Sequence, residues 1–177
     1  MSDSKPRYFA PAAGEGGMTE LHRAACRGDF NAVVAAVQER CDVNAPDHGG
    51  WTALHWLVDM GMVEGERERI LDALLAAGAD LEARDLEGST PLMVACRAGN
   101  PDLVRRLVDA GATVNAHNLE GRTALMEAAS YGEPQTMRLL LARGAQRSAR
   151  TRDGKAAVDF ARAQGWDEVV AILRQTK

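Results

Sequence analysis

The stretch GSTPLMVACRAGNPDLVRRLVDAGA, residues 88–112, decides the fold, because its pattern returns on both sides of it. Its first half is repeated by GWTALHWLVDMG, residues 50–61, and by GRTALMEAASYG, residues 121–132. Its second half is repeated by PQTMRLLLARGA, residues 134–145. A fixed period of about 20 to 50 residues is the signature of stacked structural units, so the sequence predicts a repeat architecture.

Glycines mark the period. Matching glycines are 33 residues apart, except where the spacing is 38 in the second unit. Thirteen of the 17 glycines fall into three series: Gly17, Gly50, Gly88, Gly121 and Gly154; Gly28, Gly61, Gly99, Gly132 and Gly165; and Gly78, Gly111 and Gly144, with Arg40 at the third position of the first unit. Because glycine tolerates positive φ in turns and at helix ends, these series predict a hairpin turn, a break between two helices and the end of the second helix.

Between the glycines, each unit has the pattern of two helices. The threonines placed to cap the first helix are Thr52, Thr90 and Thr123. Pro91 follows one of them at the first helical position, where its missing N–H costs nothing. In residues 101–112 and 134–145, apolar residues recur at i, i+1, i+4 and i+5, which puts them on one stripe of a second helix.

These elements resemble the ankyrin repeat family. Its T-A/P-L-H/M, A-A and G-A-x-V/L-N/E elements are present over roughly residues 18–173, in five units. The resemblance implies an all-α solenoid: a curved stack of antiparallel helix pairs, with β-turn fingers and a concave binding surface. We expect a flexible arm over residues 1–16 and one domain over 17–174, with units at about 17–46, 47–84, 85–117, 118–150 and 151–174.

The terminal units of such an array must turn a polar face to water. Arg40 replaces a glycine in the first unit, and the first helix of the last unit carries polar residues: Lys155, Asp159, Arg162 and Gln164. We therefore expect both ends to act as caps, and we expect the folded array to end near Leu173.

The second unit carries an insertion. Gly61 and Gly78 are 17 residues apart, whereas Gly99 and Gly111 are 12 apart, so five residues are added within MVEGERER, residues 62–69. Insertions in repeat proteins map to loops on one face. We expect most of these residues to prolong the second helix with solvated charge; the alternative is a secondary docking loop.

Composition indicates a globular chain. Of its 177 residues, 46% are apolar and 26% charged. No apolar run approaches the roughly 18 residues of a membrane span, and the N-terminus lacks a secretory apolar core, so we expect a cytoplasmic protein with no membrane partner. The net charge of −4 divides unevenly, because residues 143–177 hold eight Lys or Arg and four Asp or Glu, which leaves −8 for the rest.

Metal sites and catalysis are not predicted. Cys26, Cys41 and Cys96 are an odd number without CxxC spacing, which argues against disulfides and zinc. His22 lies four residues before Cys26, but two ligands do not close a zinc site, and the resemblance implies that this histidine and His55 hydrogen-bond between repeats. No catalytic motif such as GxSxG, HExxH or GxxxxGK[ST] occurs, so we expect no enzyme activity, no small-molecule substrate, no cofactor and no metal.

The resemblance also implies which side chains face a partner: those beside the turn glycine and those at the end of the first helix. These positions hold Asp47, His48, Trp51, Asp59, Met60, Leu86, Glu87, Ser89, Arg97, Leu119, Glu120, Arg122, Ser130, Tyr131, Arg152 and Lys155. Trp51 and Tyr131 stand out because Trp, Tyr and Arg are enriched among interface hot spots, and Leu86 and Leu119 stand out because they repeat the same exposed apolar side chain on adjacent fingertips. The alternative for Trp51 is that it packs between units with Trp56, the residue of the two more expected to be buried.

The expected function is a monomeric, non-catalytic scaffold that binds a partner protein through its concave face. A narrower alternative is a bacterial inhibitor or immunity-type protein that neutralises an enzyme or toxin, by analogy with other ankyrin proteins. A lower alternative is nucleic-acid binding through the basic residues of the last units: Arg143, Arg147, Arg150, Arg152 and Lys155. The acidic overall charge and the absence of an aromatic residue in that span argue against it.

Overall fold

The computed structural model describes residues 17–59 and 64–175. Within these ranges it contains ten helices and no strand. The helices are α1 (Glu20–Arg27), α2 (Phe30–Gln38), α3 (Ala53–Asp59), α4 (Glu64–Ala76), α5 (Pro91–Ala98), α6 (Pro101–Asp109), α7 (Ala124–Ser130), α8 (Pro134–Ala142), α9 (Ala157–Gln164) and α10 (Asp167–Arg174). The predicted all-α class and the five helix pairs are confirmed. The proposed arm, residues 1–16, lies outside the described residues.

The helices form two rows. In the inner row, each helix contacts the next, in the order α1, α3, α5, α7 and α9. In the outer row, α2 contacts α4, α6 contacts α8 and α8 contacts α10. The core lies between the rows. It includes the buried leucines at the second position of α3, α5 and α7, which are Leu54, Leu92 and Leu125. Each unit therefore shares its core with its neighbours, as expected of a solenoid.

Salt bridges run along the outer row. Arg106 of α6 pairs with Asp72 and Glu68 of α4, and Arg143, just beyond α8, pairs with Asp109 of α6. These side chains are substantially exposed, so each pair contributes at most about 1 kcal/mol.

The ends of the second helices have left-handed backbones. Gly78, Gly111 and Gly144 have φ of 87°, 105° and 85°, and Arg40, at the matching position of the first unit, has φ of 57°. Arg40 is the single non-glycine residue with positive φ in the described ranges. Its conformation confirms that the glycine register extends through a unit that has lost its glycine.

The inserted residues lengthen α4. This helix has 13 residues, whereas α6 and α8 have nine, so the insertion adds about one helical turn. The predicted helix extension is confirmed from Glu64 onward; residues 60–63 lie outside the described ranges. The expected solvated charge is found at Glu66, Glu68 and Arg69, which are exposed. Arg67 is the exception, because it is only 5% exposed and lines a small pocket with Asn100 at the start of α6.

The last unit ends as an exposed cap. α10 ends at Arg174, one residue past the expected end of the array. Arg162 and Gln164 of α9 are exposed, in agreement with the polar outer face predicted for a terminal unit. Ala156 stands where other units have a capping threonine, and the carboxylate of Asp159, the third residue of α9, accepts a hydrogen bond from the Ala156 N–H at 2.9 Å.

Candidate functional site

Each finger is a turn held by its own first side chain. Asp85 Oδ1 accepts hydrogen bonds from the backbone N–H of Glu87 at 2.9 Å and of Ser89 at 2.7 Å. Asp47 and Asn118 hold the neighbouring turns with the same pair of bonds. Asp and Asn are favoured in turns because their side chains can make these local bonds. The tip of each finger therefore has a fixed shape.

Backbone hydrogen bonds join the fingers to one another. They run from Leu86 N to Gly49 O at 3.1 Å, from Leu119 N to Glu87 O at 2.9 Å and from Arg152 N to Glu120 O at 2.9 Å. The fingers approach so closely that a Cβ on Gly88 would lie 3.0 Å from the Leu119 nitrogen. Four consecutive fingertips thus form one continuous wall.

Histidines tie the inner helices to this wall. His22 Nε2 lies 2.9 Å from the Trp51 carbonyl oxygen, and His55 Nε2 lies 3.2 Å from the Ser89 carbonyl oxygen. Because a carbonyl only accepts, Nε2 carries the proton in both rings. Burial lowers the pKa of His55, which keeps that ring neutral. The hydrogen-bonding role implied by the resemblance is confirmed. The Nδ1 atoms of His22 and His55 accept hydrogen bonds from the backbone N–H groups of Thr19 and Thr52 at 3.0 and 3.2 Å.

The prediction that Trp51 is an exposed contact residue is wrong. Its side chain is only 3% exposed, and its ring packs edge-on against Trp56 with centroids 5.1 Å apart. Trp56 is buried as predicted, and its Nε1–H donates to Asp47 Oδ2 at 2.9 Å. Trp51 is therefore packed within the protein, and the carboxylate of Asp47 is occupied by its own turn and by Trp56.

The expectation that Ser89 of the third unit is an exposed contact residue is also wrong. It occupies the position equivalent to Trp51, and it is also buried. The turn bends back after its glycine, since the Ser89 N–H bonds to Asp85 at the start of the turn. The Ser89 side chain is therefore buried rather than exposed to a partner.

Half of the predicted contact residues meet in one open groove of about 460 Å³. The groove lies between two adjacent fingers, which carry Leu86 and Leu119 and are called the middle fingers, and the C-terminal ends of α5 and α7. The predicted residues that line it are Leu86, Glu87, Arg97, Leu119, Glu120, Arg122, Ser130 and Tyr131. Asn118 and Glu127 complete the lining and were not predicted.

Two leucines form the rim of this groove. Leu86 is 72% exposed and Leu119 is 57% exposed, and no other large hydrophobic side chain in the described part of the chain is as accessible. They occupy equivalent positions on adjacent fingers, which the backbone bond from Leu119 to Glu87 holds together. Because contiguous exposed apolar patches often mark interaction sites, this leucine pair is a candidate interaction surface.

The buried Glu127 and the partly buried Arg122 form an ion pair in the groove. Arg122 Nε lies 2.8 Å from Oε1 of Glu127, and Nη2 lies 3.2 Å from Oε2. Burial raises the pKa of Glu127, and the guanidinium of Arg122 opposes that rise. Arg122 also stacks over the Phe160 ring, 4.4 Å from its centroid. The sequence offers one signal for Glu127: it is a carboxylate at the repeat position that the apolar Val94 occupies in the preceding unit.

The ends of three inner helices bring a second set of charges together. Arg97, which is 9% exposed, lies close enough to the half-buried Asp59 to oppose the effect of burial on that carboxyl. Burial nevertheless raises the pKa of Asp59 to about 6. Burial also raises the pKa of Tyr131, whose hydroxyl shares this charged environment. Met60, the other predicted residue here, lies outside the described residues.

The remaining predicted residues lie on the outer fingers. His48 and Arg152 are exposed, and Lys155 is exposed and paired with Asp153 at 2.7 Å. The basic span in the last units is also partly engaged, because Arg150 donates to the Gly154 carbonyl at 2.8 Å. These groups flank the groove without lining it.

The cysteines do not form a reactive or metal-binding cluster. Burial raises the pKa of Cys26 and raises that of Cys96 well above the usual value, so both thiols stay protonated. Among the residues that the structure describes, no three His, Cys, Asp or Glu side chains are placed to hold a metal ion. In the same ranges, no helix combines the length and apolar character needed to cross a membrane.

Similarity to known proteins agrees with this architecture. A family model described as "Ankyrin repeats (3 copies)" matches residues 10–85 and 60–153. NF-kappa-B inhibitor alpha of Gallus gallus is 31% identical over 101 residues, which are 55% of this chain and 30% of that protein. RelA-associated inhibitor of Mus musculus is 35% identical over 85 residues, covering 48% and 10% of the two chains. Rabankyrin-5 of Homo sapiens is 33% identical over 99 residues, covering 52% and 8%.

The matched segments are short relative to these relatives, since the chain spans between 8% and 30% of their lengths. The family model, in contrast, covers most of this chain. Ankyrin repeats generally mediate protein–protein interaction and are typically non-catalytic. On the repeat pattern, the five helix pairs and the match to the family model, the chain belongs to the ankyrin repeat family.

Proposed function

We propose that this chain is a non-catalytic protein-binding module whose groove holds a segment of a partner protein. The observation that carries the proposal is the pair of exposed leucines, Leu86 and Leu119, at the rim of that groove. Covering an exposed leucine contributes up to about 1.5–3 kcal/mol. The two together would supply a large part of the free energy of a specific complex.

The rigidity of the wall supports the same proposal. The fingers are held by bonds from Asp85 and Asn118 within each turn and by backbone bonds between turns. A surface that is already ordered loses little conformational entropy when it binds. We propose that the groove residues make the contact and that His48, Arg152 and Lys155 flank it, in a protein that is monomeric by itself and acts in the cytoplasm.

Quantitative capture from cells that express the protein tests this function. The variant Leu86→Ser/Leu119→Ser removes the apolar rim, and Gln135→Ser/Arg147→Ser changes two exposed residues outside the groove as a matched control. We expect a partner that is retained by the wild type and the control and lost from the rim variant. Equal retention by all three proteins would contradict a role for the groove.

The narrower alternative is an inhibitor. Two of the similar proteins are inhibitors by name, RelA-associated inhibitor and NF-kappa-B inhibitor alpha. An ankyrin module that covers part of a partner can block that part from other contacts. Once the partner has been captured, its activity with and without the purified chain distinguishes inhibition from scaffolding, because a scaffold leaves that activity unchanged.

A further inference from the structure

We propose that residues 5–11 of this chain, KPRYFAP, lie across the groove and compete with the partner for it. The proposal rests on the proposed function, because it concerns how access to the same groove is regulated. It is carried by the exposed leucine pair, by the reach of the chain from the first finger and by the charge at the rim.

The leucine pair is left uncovered by the part of the chain that the structure describes. Leu86 is 72% exposed and Leu119 is 57% exposed, and they are the two exposed large hydrophobic side chains in the described ranges. The free energy gained by covering them grows with the apolar area removed from water. An effective cover therefore needs large apolar groups.

Residues 5–11 supply such groups. Tyr8 and Phe9 are adjacent, and besides Met1 they are the large apolar side chains of residues 1–16. Each ring can bury about 150–250 Å². The pair precedes residue 10, where the match to the family model begins, so it is not part of the repeat pattern.

The chain enters the array within reach of the groove. Gly17 lies against the second finger, since a Cβ on it would be 2.9 Å from the His48 nitrogen. Neighbouring helices pack about 8–10 Å apart, so Leu86 and Leu119, two and three units further on, lie about 16–20 and 24–30 Å from Gly17. An extended chain spans about 3.3–3.6 Å per residue, so the eight steps from Gly17 back to Phe9 reach about 26–29 Å. Phe9 therefore reaches Leu86 with length to spare, and Tyr8, one step further, reaches Leu119.

The charge of the segment is complementary to the far side of the groove. Lys5 and Arg7 precede the aromatic pair. Because lower-numbered residues lie further along the wall from Gly17, Arg7 falls toward Glu120, next to Leu119. Glu120 lines the groove and is exposed. Opposite charges in this order fix the direction in which the segment lies.

Nuclear magnetic resonance of the whole 177-residue chain tests the contact. Leucine methyl groups carry ¹³C, and the signals of Leu86 and Leu119 are those missing from Leu86→Met and Leu119→Met. An aromatic ring shifts the signals of methyl groups that it covers. Tyr8→Ser/Phe9→Ser should therefore move both signals, and the matched control Ser2→Ala/Ser4→Ala should move neither.

Two results of this experiment would overturn the proposal. One is that the Leu86 and Leu119 signals keep their positions in Tyr8→Ser/Phe9→Ser. The other is that the effect of the rings fades on tenfold dilution, because the segment would then occupy the groove of a second copy.

A labelled peptide measures the competition for the groove. Its sequence is DSKPRYFAPAA, residues 3–13, and its binding is followed by fluorescence anisotropy. We expect a Kd of about 0.1–0.4 mM for Tyr8→Ser/Phe9→Ser, because an effective concentration of about 1 mM then keeps the tethered segment on the groove in about 70–90% of wild-type molecules. The wild type should accordingly bind the peptide about 3- to 10-fold more weakly. Equal affinity for the two proteins, or no binding to the variant, would contradict the competition.

Removal of the leucines separates this proposal from the proposed function. Adding Leu86→Ser/Leu119→Ser to Tyr8→Ser/Phe9→Ser should abolish peptide binding, and retained binding would place the segment elsewhere and overturn the proposal. If the peptide does not bind while a captured partner still depends on the leucines, the regulation is refuted and the proposed function stands. If the peptide depends on the leucines and no captured partner does, the contact stands and the proposed function is refuted.

Discussion

Arg40 offers a direct test of the glycine register. It has φ of 57°, in the region that L-residues rarely adopt, at the position where Gly78, Gly111 and Gly144 end their helices. Its side chain is exposed, and so replacing it removes little packing. The substitution Arg40→Gly should therefore relieve backbone strain at small cost and stabilise the folded protein.

The size of the effect follows from two opposing contributions. A left-handed backbone costs an L-residue about 1–2 kcal/mol. Glycine at position 40 would remove that cost, but it would also make the unfolded chain more flexible, which costs about 0.4–1 kcal/mol. The net gain for Arg40→Gly is about 0.5–1 kcal/mol, which raises the Tm by about 1–4 °C for a domain of this size.

Thermal and urea unfolding followed by circular dichroism measure this change. The matched control is Gly111→Ala, because a Cβ at this position would meet no atom within 4 Å and the substitution adds backbone strain alone. We expect Gly111→Ala to lose more stability than Arg40→Gly gains, because φ of 105° at Gly111 lies further outside the range open to L-residues than φ of 57° at Arg40. If Arg40→Gly were less stable than the wild type, or if Gly111→Ala were neutral, the reasoning from backbone strain would be refuted.

Two further predictions concern buried polar groups. Since burial raises the pKa of Asp59 from 3.8 to about 6, ionising it costs the folded protein more than the unfolded chain, and its contribution to stability falls as pH rises from about 4 to 6. Asp59→Asn should thus be more stable than the wild type by about 1 kcal/mol at pH 7, and no more stable at pH 3.5; an equal urea midpoint at pH 7 would contradict this. Trp56→Phe leaves Asp47 Oδ2 without its 2.9 Å donor and should cost about 1–3 kcal/mol in urea unfolding, whereas a neutral result would mean that the bond contributes nothing.

The repeat made most of the fold predictable from sequence. Spacing alone placed the helix pairs and assigned Arg40 to a helix end, because glycine serves a backbone role that recurs in every unit. The five extra residues were placed between α3 and α4 by the same counting. The buried state of Arg67 was not predictable, since it depends on how the added turn of α4 faces the start of α6.

The candidate site was less predictable, because the pattern gives the position of a side chain in the unit but not its direction. Trp51 and Ser89 directly follow the turn glycine, a position where contact residues were expected. Both are nevertheless buried. Leu86 and Leu119 lie before the turn glycine, at the tip of the finger. Both side chains are exposed there, as predicted. Glu127 was missed because its role depends on pairing with Arg122.

The affinity of the captured partner for the Leu86→Ser/Leu119→Ser variant tests the central claim most directly. Complete burial of a leucine contributes about 1.5–3 kcal/mol. With exposed fractions of 72% and 57%, the two rim leucines together should supply about 2–4 kcal/mol. Calorimetric titration of the captured partner should show a Kd about 30- to 700-fold weaker than that of the wild type, with an unchanged Tm. A Kd within about threefold of the wild-type value would contradict binding through this groove.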